Sequence, residues 1–138
     1  MSGHIFFNDR WFGFDDALYS ASRLIEILSE DDRSSSEVFA ELPDGVNTPE
    51  MNIDFPEGEH FIFIKKLLEA ADFSDGKVTN IDGLRVDYPD GWGLVRASNT
   101  TPSVVLRFEA DSKEKLSMIQ DRFKKLMIRV NPDMAIPF

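Results

Sequence analysis

The chain has 138 residues, no cysteine, and 25 Asp and Glu against 15 Lys and Arg, for a formal charge of −10. That length suits one well-packed domain with an appendage, and the lack of cysteine excludes a disulfide framework and thiol chemistry and fits a reducing cytoplasm. So acidic a surface repels nucleic acid and anionic lipid at long range, no apolar run is long enough to span a bilayer, and no signal-peptide pattern opens the chain, so neither a nucleic-acid nor a membrane partner is expected.

In chain order, residues 4–7 read as a short strand. Asp15 or Asp16 can cap a helix in which Ala17, Leu18, Ala21, Leu24, Ile25 and Leu28 recur at helical spacing. Residues 30–33 end it in a polar break, and Ser34 with Glu37 forms a capping box for a short helix through Val38, Phe39 and Leu42. Pro43-Asp44-Gly45 reads as a turn, and the polar stretch from there to Glu50 as the linker between two regions, 1–44 and 45–138.

The second region carries the pattern of a compact α+β domain. Met51, Ile53 and Phe55 alternate as in a half-buried strand. A helix follows with Phe61, Ile64, Leu67, Leu68 and Ala71 on one face, which leaves His60 at the surface. Strands over 78–81 and 84–88 flank Asp82-Gly83, a two-residue hairpin signal. Strands over 92–97 and 103–110 follow, in which Arg85 and Arg107 alternate with apolar residues and are expected to pair across strands with acids such as Asp87 and Glu109. Asp111 with Glu114 opens a last helix, with Leu116, Ile119, Phe123, Leu126, Met127 and Val130 inward and Asn131-Pro132 at its end. The expected architecture is an antiparallel sheet with two helices on one face.

The richest stretch for chemistry lies between the last two strands. Arg96, Ser98, Asn99, Thr100, Thr101 and Pro102 gather one guanidinium, three hydroxyls, a carboxamide and a rigidifying proline. The guanidinium is a planar fork that can grip two phosphate oxygens. The hydroxyls and the carboxamide can each donate further bonds, and backbone N–H groups in a tight loop can add an anion-binding concavity. Such residues are also ordinary loop formers, and composition alone leaves that plainer reading standing. Trp92 reads as a core or loop-supporting ring, and Pro102 as the residue that keeps the loop extended into the next strand.

The sequence Gly91-Trp92-Gly93-Leu94-Val95 followed by Arg-Ala-Ser-Asn-Thr-Thr-Pro resembles the phosphate-binding loop in the last domain of the bacterial α-D-phosphohexomutases, the phosphomannomutase/phosphoglucomutase family. The likeness runs on through residues 104–110 and upstream through 82–89. Met1-Ser2-Gly3-His4, followed by Phe12-Gly13-Phe14-Asp15-Asp16, is similar to the sugar-recognition loop of that family's third domain and the helix after it. The resemblance implies a C-terminal domain of TATA-box-binding-protein-like fold, preceded by the end of a partial α/β domain. It implies phosphate binding by Arg96, Ser98, Asn99, Thr100 and Thr101, and contact with the sugar by Ser2 and His4.

It further implies that the parent enzyme is an isomerase. Such an enzyme moves a phosphoryl group from a phosphoserine in its first domain through a 1,6-bisphosphate, with Mg²⁺ on an Asp-rich loop in its second. Its ligand would be a mannose or glucose 1- or 6-phosphate, and its last domain would close over the site as a mobile unit. Neither the phosphoserine loop nor the metal loop is found among these residues. Asp15-Asp16 and Asp31-Asp32 lack the alternate spacing of that loop and read as helix-end charges. The chain is therefore expected to be a C-terminal fragment, inactive alone, without a metal of its own, whose natural partner is the rest of the mutase chain. The apolar face of Leu18, Leu24, Ile25 and Leu28, having lost its sheet, is expected to bury itself across a two-fold as a homodimer. The alternative of another class is a free-standing phosphosugar-binding or interaction module without catalysis, against which the unpaired N-terminal region counts.

Overall fold

The computed structural model describes residues 3–138 and divides into two compact units, one ending at Pro43 and one spanning Asp44–Phe138. In the first unit, α1 (Ala17–Ser29) is capped by Asp16, whose side chain accepts from the Tyr19 N–H at 2.9 Å. The short α2 (Ser35–Phe39) carries the full capping box, Ser34 bonded to the Glu37 N–H and Glu37 back to the Ser34 N–H. The expected strand over 4–7 is not formed. Only one antiparallel bridge, Phe6 to Asp15, stands there, because no neighbouring strand of this unit offers a ladder to extend it.

The second unit is a six-stranded antiparallel sheet. Its strands are β1 (Val46–Asn47), β2 (Met51–Asp54), β3 (Lys77–Thr79), β4 (Leu84–Tyr88), β5 (Gly91–Ala97) and β6 (Ser103–Ala110), in the order β1-β6-β5-β4-β3, with β2 also paired to β6. β1 lies along Glu109 and Ala110 and β2 along residues 103–106, so two short strands share one edge of β6. Thr48 bridges the break between them. Its N–H donates to the Phe108 carbonyl at 2.9 Å, and its Oγ1 accepts from the Phe108 N–H at 3.1 Å in place of a backbone carbonyl. The stretch expected to be a turn and linker is thus partly sheet, and its polarity reflects Thr48 completing a ladder.

Two helices, α3 (Glu59–Ala70) and α4 (Lys113–Val130), pack on one face of the sheet. Leu84, Val86, Val95, Leu106 and Phe108 point into this layer with Leu67, Phe123 and Met127, all essentially inaccessible. Gly93 is required where Phe123 crosses β5: a Cβ there would sit 2.5 Å from the Phe123 ring. Three local expectations are corrected. The α4 cap is Ser112, which accepts from the Lys115 N–H, one residue beyond Asp111. The α3 face is rotated, burying His60 and Phe63 and leaving Phe61 half exposed. The β3–β4 connection has four residues, 80–83, since β3 ends at Thr79 opposite Arg85.

Candidate functional site

Strand alternation decides what the uncovered face of the sheet carries. Because Leu84, Val86, Val95, Leu106 and Phe108 face the helices, their neighbours Arg85, Arg96 and Arg107 face the other way. Arg85 and Arg107 both lie opposite Leu94, and Arg96 lies opposite Val105. Three guanidiniums therefore surround Leu94 on a chain whose formal charge is −10.

They are not equivalent. Arg85 is neutralised by Asp87, two residues along its own strand, with Nε at 3.0 Å and Nη2 at 2.6 Å from Oδ1, and it lies 4.2 Å above the Trp92 ring. Its pair is thus within one strand rather than between strands, and Trp92 supports this guanidinium instead of entering the core. Arg107, expected to pair with Glu109, makes no ion pair or side-chain hydrogen bond among the described residues. Arg96 has one carboxylate nearby, Asp82 at 3.8 Å, beyond hydrogen-bonding distance, and a single long bond to the Ala97 carbonyl at 3.5 Å.

The Asp82-Gly83 turn is pressed against the backbone of Arg96. Gly83 has φ +107°, and a Cβ on it would come within 2.4 Å of the Val95 carbonyl oxygen and 2.7 Å of the Arg96 Cα. Glycine is required twice over, by the positive φ and by the approach. The turn thereby fixes where Arg96 leaves the sheet and sets Asp82 beside its guanidinium.

Residues 98–102 form the loop after β5. The Ser98 N–H donates to the Ser103 carbonyl at 2.9 Å and closes it, while the Pro102 carbonyl accepts from the Phe55 N–H at 2.8 Å and ties it to the segment after β2. Ser98 is buried, and its Oγ accepts from the N–H groups of Thr100 and Thr101, both at 3.3 Å, and from the Thr101 hydroxyl at 3.0 Å. Thr101 Oγ1 also meets the Ser103 hydroxyl at 2.9 Å. Ser98, buried, and Thr101, exposed, hold the loop together through these bonds, a local pattern that Ser and Thr favour in turns. Asn99 and Thr100 stand exposed at its tip, and the Asn99 N–H has no partner among the described residues. The Thr100 hydroxyl also meets Ser98 Oγ at 3.3 Å, and an Arg fork at a strand end, a carboxamide, an exposed hydroxyl that can turn outward and an unpaired amide are donors an oxyanion with several lone pairs can use.

In the first unit, His4 Nδ1 lies 3.3 Å from Asp15 Oδ2. Ser2, its expected companion, lies outside the described residues. Of the two adjacent aspartates expected as helix-end charges, only Asp16 caps α1, and Asp15 meets His4. Asp31 is engaged by Arg33, whose side-chain and backbone N–H groups hold the carboxyl down to about 2. Among the described residues, no three His, Asp or Glu side chains come together in a cluster fit for a metal.

Residues 50–126 match the model of the phosphoglucomutase/phosphomannomutase C-terminal domain, and residues 1–46 match that family's alpha/beta/alpha domain III. The chain is 53% identical over its whole length to a phosphomannomutase/phosphoglucomutase of Pseudomonas aeruginosa, and 52% identical over 99% of its length to a phosphoglucomutase of Neisseria gonorrhoeae. In each case it spans 30% of the relative's length. A crystal structure of a phosphoglucomutase/phosphomannomutase family protein from Burkholderia thailandensis is similar over 100% of the chain, with a TM-score of 0.89 and 48% identity, and the match covers 29% of that structure.

Proposed function

The chain belongs to the phosphoglucomutase/phosphomannomutase family, and from that premise we propose that its second unit is the phosphate-binding domain of a hexose-phosphate mutase. On this reading residues 45–138 are that domain, and residues 1–44 are the end of the α/β domain before it. Arg96 grips the phosphate, Asn99 and Thr100 donate from the loop tip, and Ser98 and Thr101 hold the loop in shape around it. Arg107, with no acid partner, joins them from the neighbouring strand. Ser2 and His4 belong to the sugar side of the ligand. The parent enzyme interconverts 1- and 6-phosphates of mannose or glucose in the cytoplasm, as an intramolecular phosphotransferase.

One observation carries this reading. Of the three guanidiniums on the open face, the one at the loop has its backbone packed against Gly83 and meets its one carboxylate, Asp82, only at 3.8 Å, beyond hydrogen-bonding distance. A cation only loosely paired, beside exposed donors at a loop tip, supports an anion-binding site. Phosphoryl transfer is mostly positioning and charge neutralisation, so this chain is expected to bind hexose phosphate without turning it over. Mg²⁺, where the parent enzyme uses it, finds no cluster of ligands among the described residues. Its charge would serve the reacting phosphate rather than the one gripped here.

A single bidentate contact with a few neutral bonds, set against the ordering of the ligand and an acidic surface, corresponds to millimolar affinity, about −4 kcal/mol. Titration with glucose 1-phosphate, followed by NMR, tests the assignment. Amides of residues 96–101 should shift first, and added Mg²⁺ should leave the affinity unchanged. Shifts centred on Asp15-Asp16 or on His60, or turnover by this chain alone, would contradict it.

A further inference from the structure

We propose that the second unit carries a second anion site, formed on α4 by Arg122, Lys125 and Arg129 at the end of the sheet away from the loop. Its ligand is a small molecule with two linked anionic groups, of the diphosphate kind. None of the residues assigned to the hexose phosphate takes part in it.

Steps of three and four residues put the three side chains on one face of the helix, within about 60° of one another, and a rise of 1.5 Å per residue spreads them over about 10 Å. Like charges at these spacings repel. Three of the chain's 15 cations nevertheless stand together here, although its formal charge is −10. They line a cavity of about 420 Å³ together with the buried Phe73 and Leu126.

The fold engages these cations only in part. Arg122 donates from Nη1 to Asp75 and lies 5.2 Å over the Tyr88 ring, and Arg129 donates from Nη2 to the Ala70 carbonyl at the end of α3. These bonds hold both guanidiniums in place and leave each with further N–H donors. Lys125 is exposed and makes no ion pair or side-chain hydrogen bond among the described residues. Two carboxylates also face the cavity: Asp75, taken by Arg122, and the exposed Asp72. Three cations against two acids leave a positive excess, and it lies at Lys125 and Arg129. A second cavity of about 190 Å³ shares Arg122 and Asp75, and the Tyr88 hydroxyl on its wall is inaccessible and without a hydrogen-bond partner.

Lys125 and Arg129 are one helical turn apart and can share one anionic group, while Arg122, a turn earlier, meets the other. This cavity is separate from the loop. Tyr88, Pro89 and Asp90, at the turn into β5, border its smaller neighbour, and residues 98–102 follow the other end of that strand. Seven residues of strand put about 20 Å between the two ends. Moreover, α4 covers the face of the sheet opposite to Arg96.

The test is an amide NMR titration of the 138-residue chain with pyrophosphate, without Mg²⁺. In the wild type, amides of residues 72–76 and 122–129 should shift together, as a set separate from residues 96–101. Lys125→Gln, at an exposed position that bonds to nothing in the fold, should weaken binding at the first set roughly threefold and leave the second unchanged. Lys113→Gln, an exposed lysine about 18 Å away along the same helix, should change neither. Shifts confined to residues 96–101 would overturn the proposal. So would a Lys125→Gln chain that binds like the wild type, or a Lys113→Gln chain weakened as much as Lys125→Gln, which would reduce the effect to general charge. Shifts at residues 72–76 and 122–129 with none at 96–101 would fault the functional reading above and leave this one standing.

Discussion

The helices α1 and α4 carry the same kind of apolar stripe and meet opposite fates. In α4, Ile119, Phe123, Leu126 and Met127 are buried against a sheet. In α1 no residue is buried: Leu18 is 83% exposed and Ile25 66%. Helical periodicity specifies a face, and a face becomes a core only when another element covers it. The first unit is held instead by caps, a stacked Trp11–Tyr19 pair and exposed ion pairs such as Arg10 with Glu26. Each of these is worth a kcal/mol or less, whereas a buried aromatic side chain contributes several.

Core truncation probes this contrast most strongly. Phe123→Ala should destabilise the second unit by about 3–5 kcal/mol, and Leu18→Ala should change the first by less than about 0.5 kcal/mol, both read from urea unfolding. Comparable losses would erase the distinction between the units. Next in size, Gly83→Ala should cost about 1–3 kcal/mol, because the new methyl must displace the Arg96 backbone. It should also weaken phosphate binding, which an ordinary surface change would not. Ser98→Ala, which deprives two backbone amides of their acceptor, should cost about 1–2 kcal/mol and broaden or shift the amides of Thr100 and Thr101 in NMR spectra.

The smallest effect belongs to the first unit and to acid. Arg33 holds the Asp31 carboxyl below its ordinary value, to about 2, so the pair contributes fully above the ordinary value of 3.8 and is lost as pH falls toward about 2. Exposure limits its size, and Asp31→Asn should alter the acid unfolding of the first unit only slightly while leaving the second untouched.

The sequence made the second unit legible to the level of sheet and helices, because period-two and period-3.6 patterns follow one another cleanly from Met51 to Val130. It was less informative wherever a tertiary bond replaced a local one. Thr48 looks like linker polarity until its hydroxyl is seen completing the β6 ladder. His60 is polar in a helix whose buried face could be set only by the sheet. The two-residue signal at Asp82-Gly83 concealed a four-residue loop, because β3 stops where its partner register ends.

At the candidate site the residue types of the loop could be read directly, but their division of labour could not. Ser98 is buried while Asn99, Thr100 and Thr101 stand exposed, and nothing in a run of small polar residues distinguishes them. Its alternation with apolar residues points Arg107 to a cross-strand acid pair. The register that places it beside Arg96 on a shared face became visible only once β5 and β6 were paired. In the first unit the pattern alone could not divide the tasks of two adjacent aspartates.

The claim that the Arg96 fork, rather than its charge, holds the phosphate is tested most directly by comparing Arg96→Lys with the wild type in titrations with inorganic phosphate. Lysine keeps the positive charge and loses the planar pair of donors. The account predicts roughly tenfold weaker binding, about 1.4 kcal/mol, with the fold and the amide spectrum outside residues 96–101 unchanged. Equal affinity in the two proteins would contradict it.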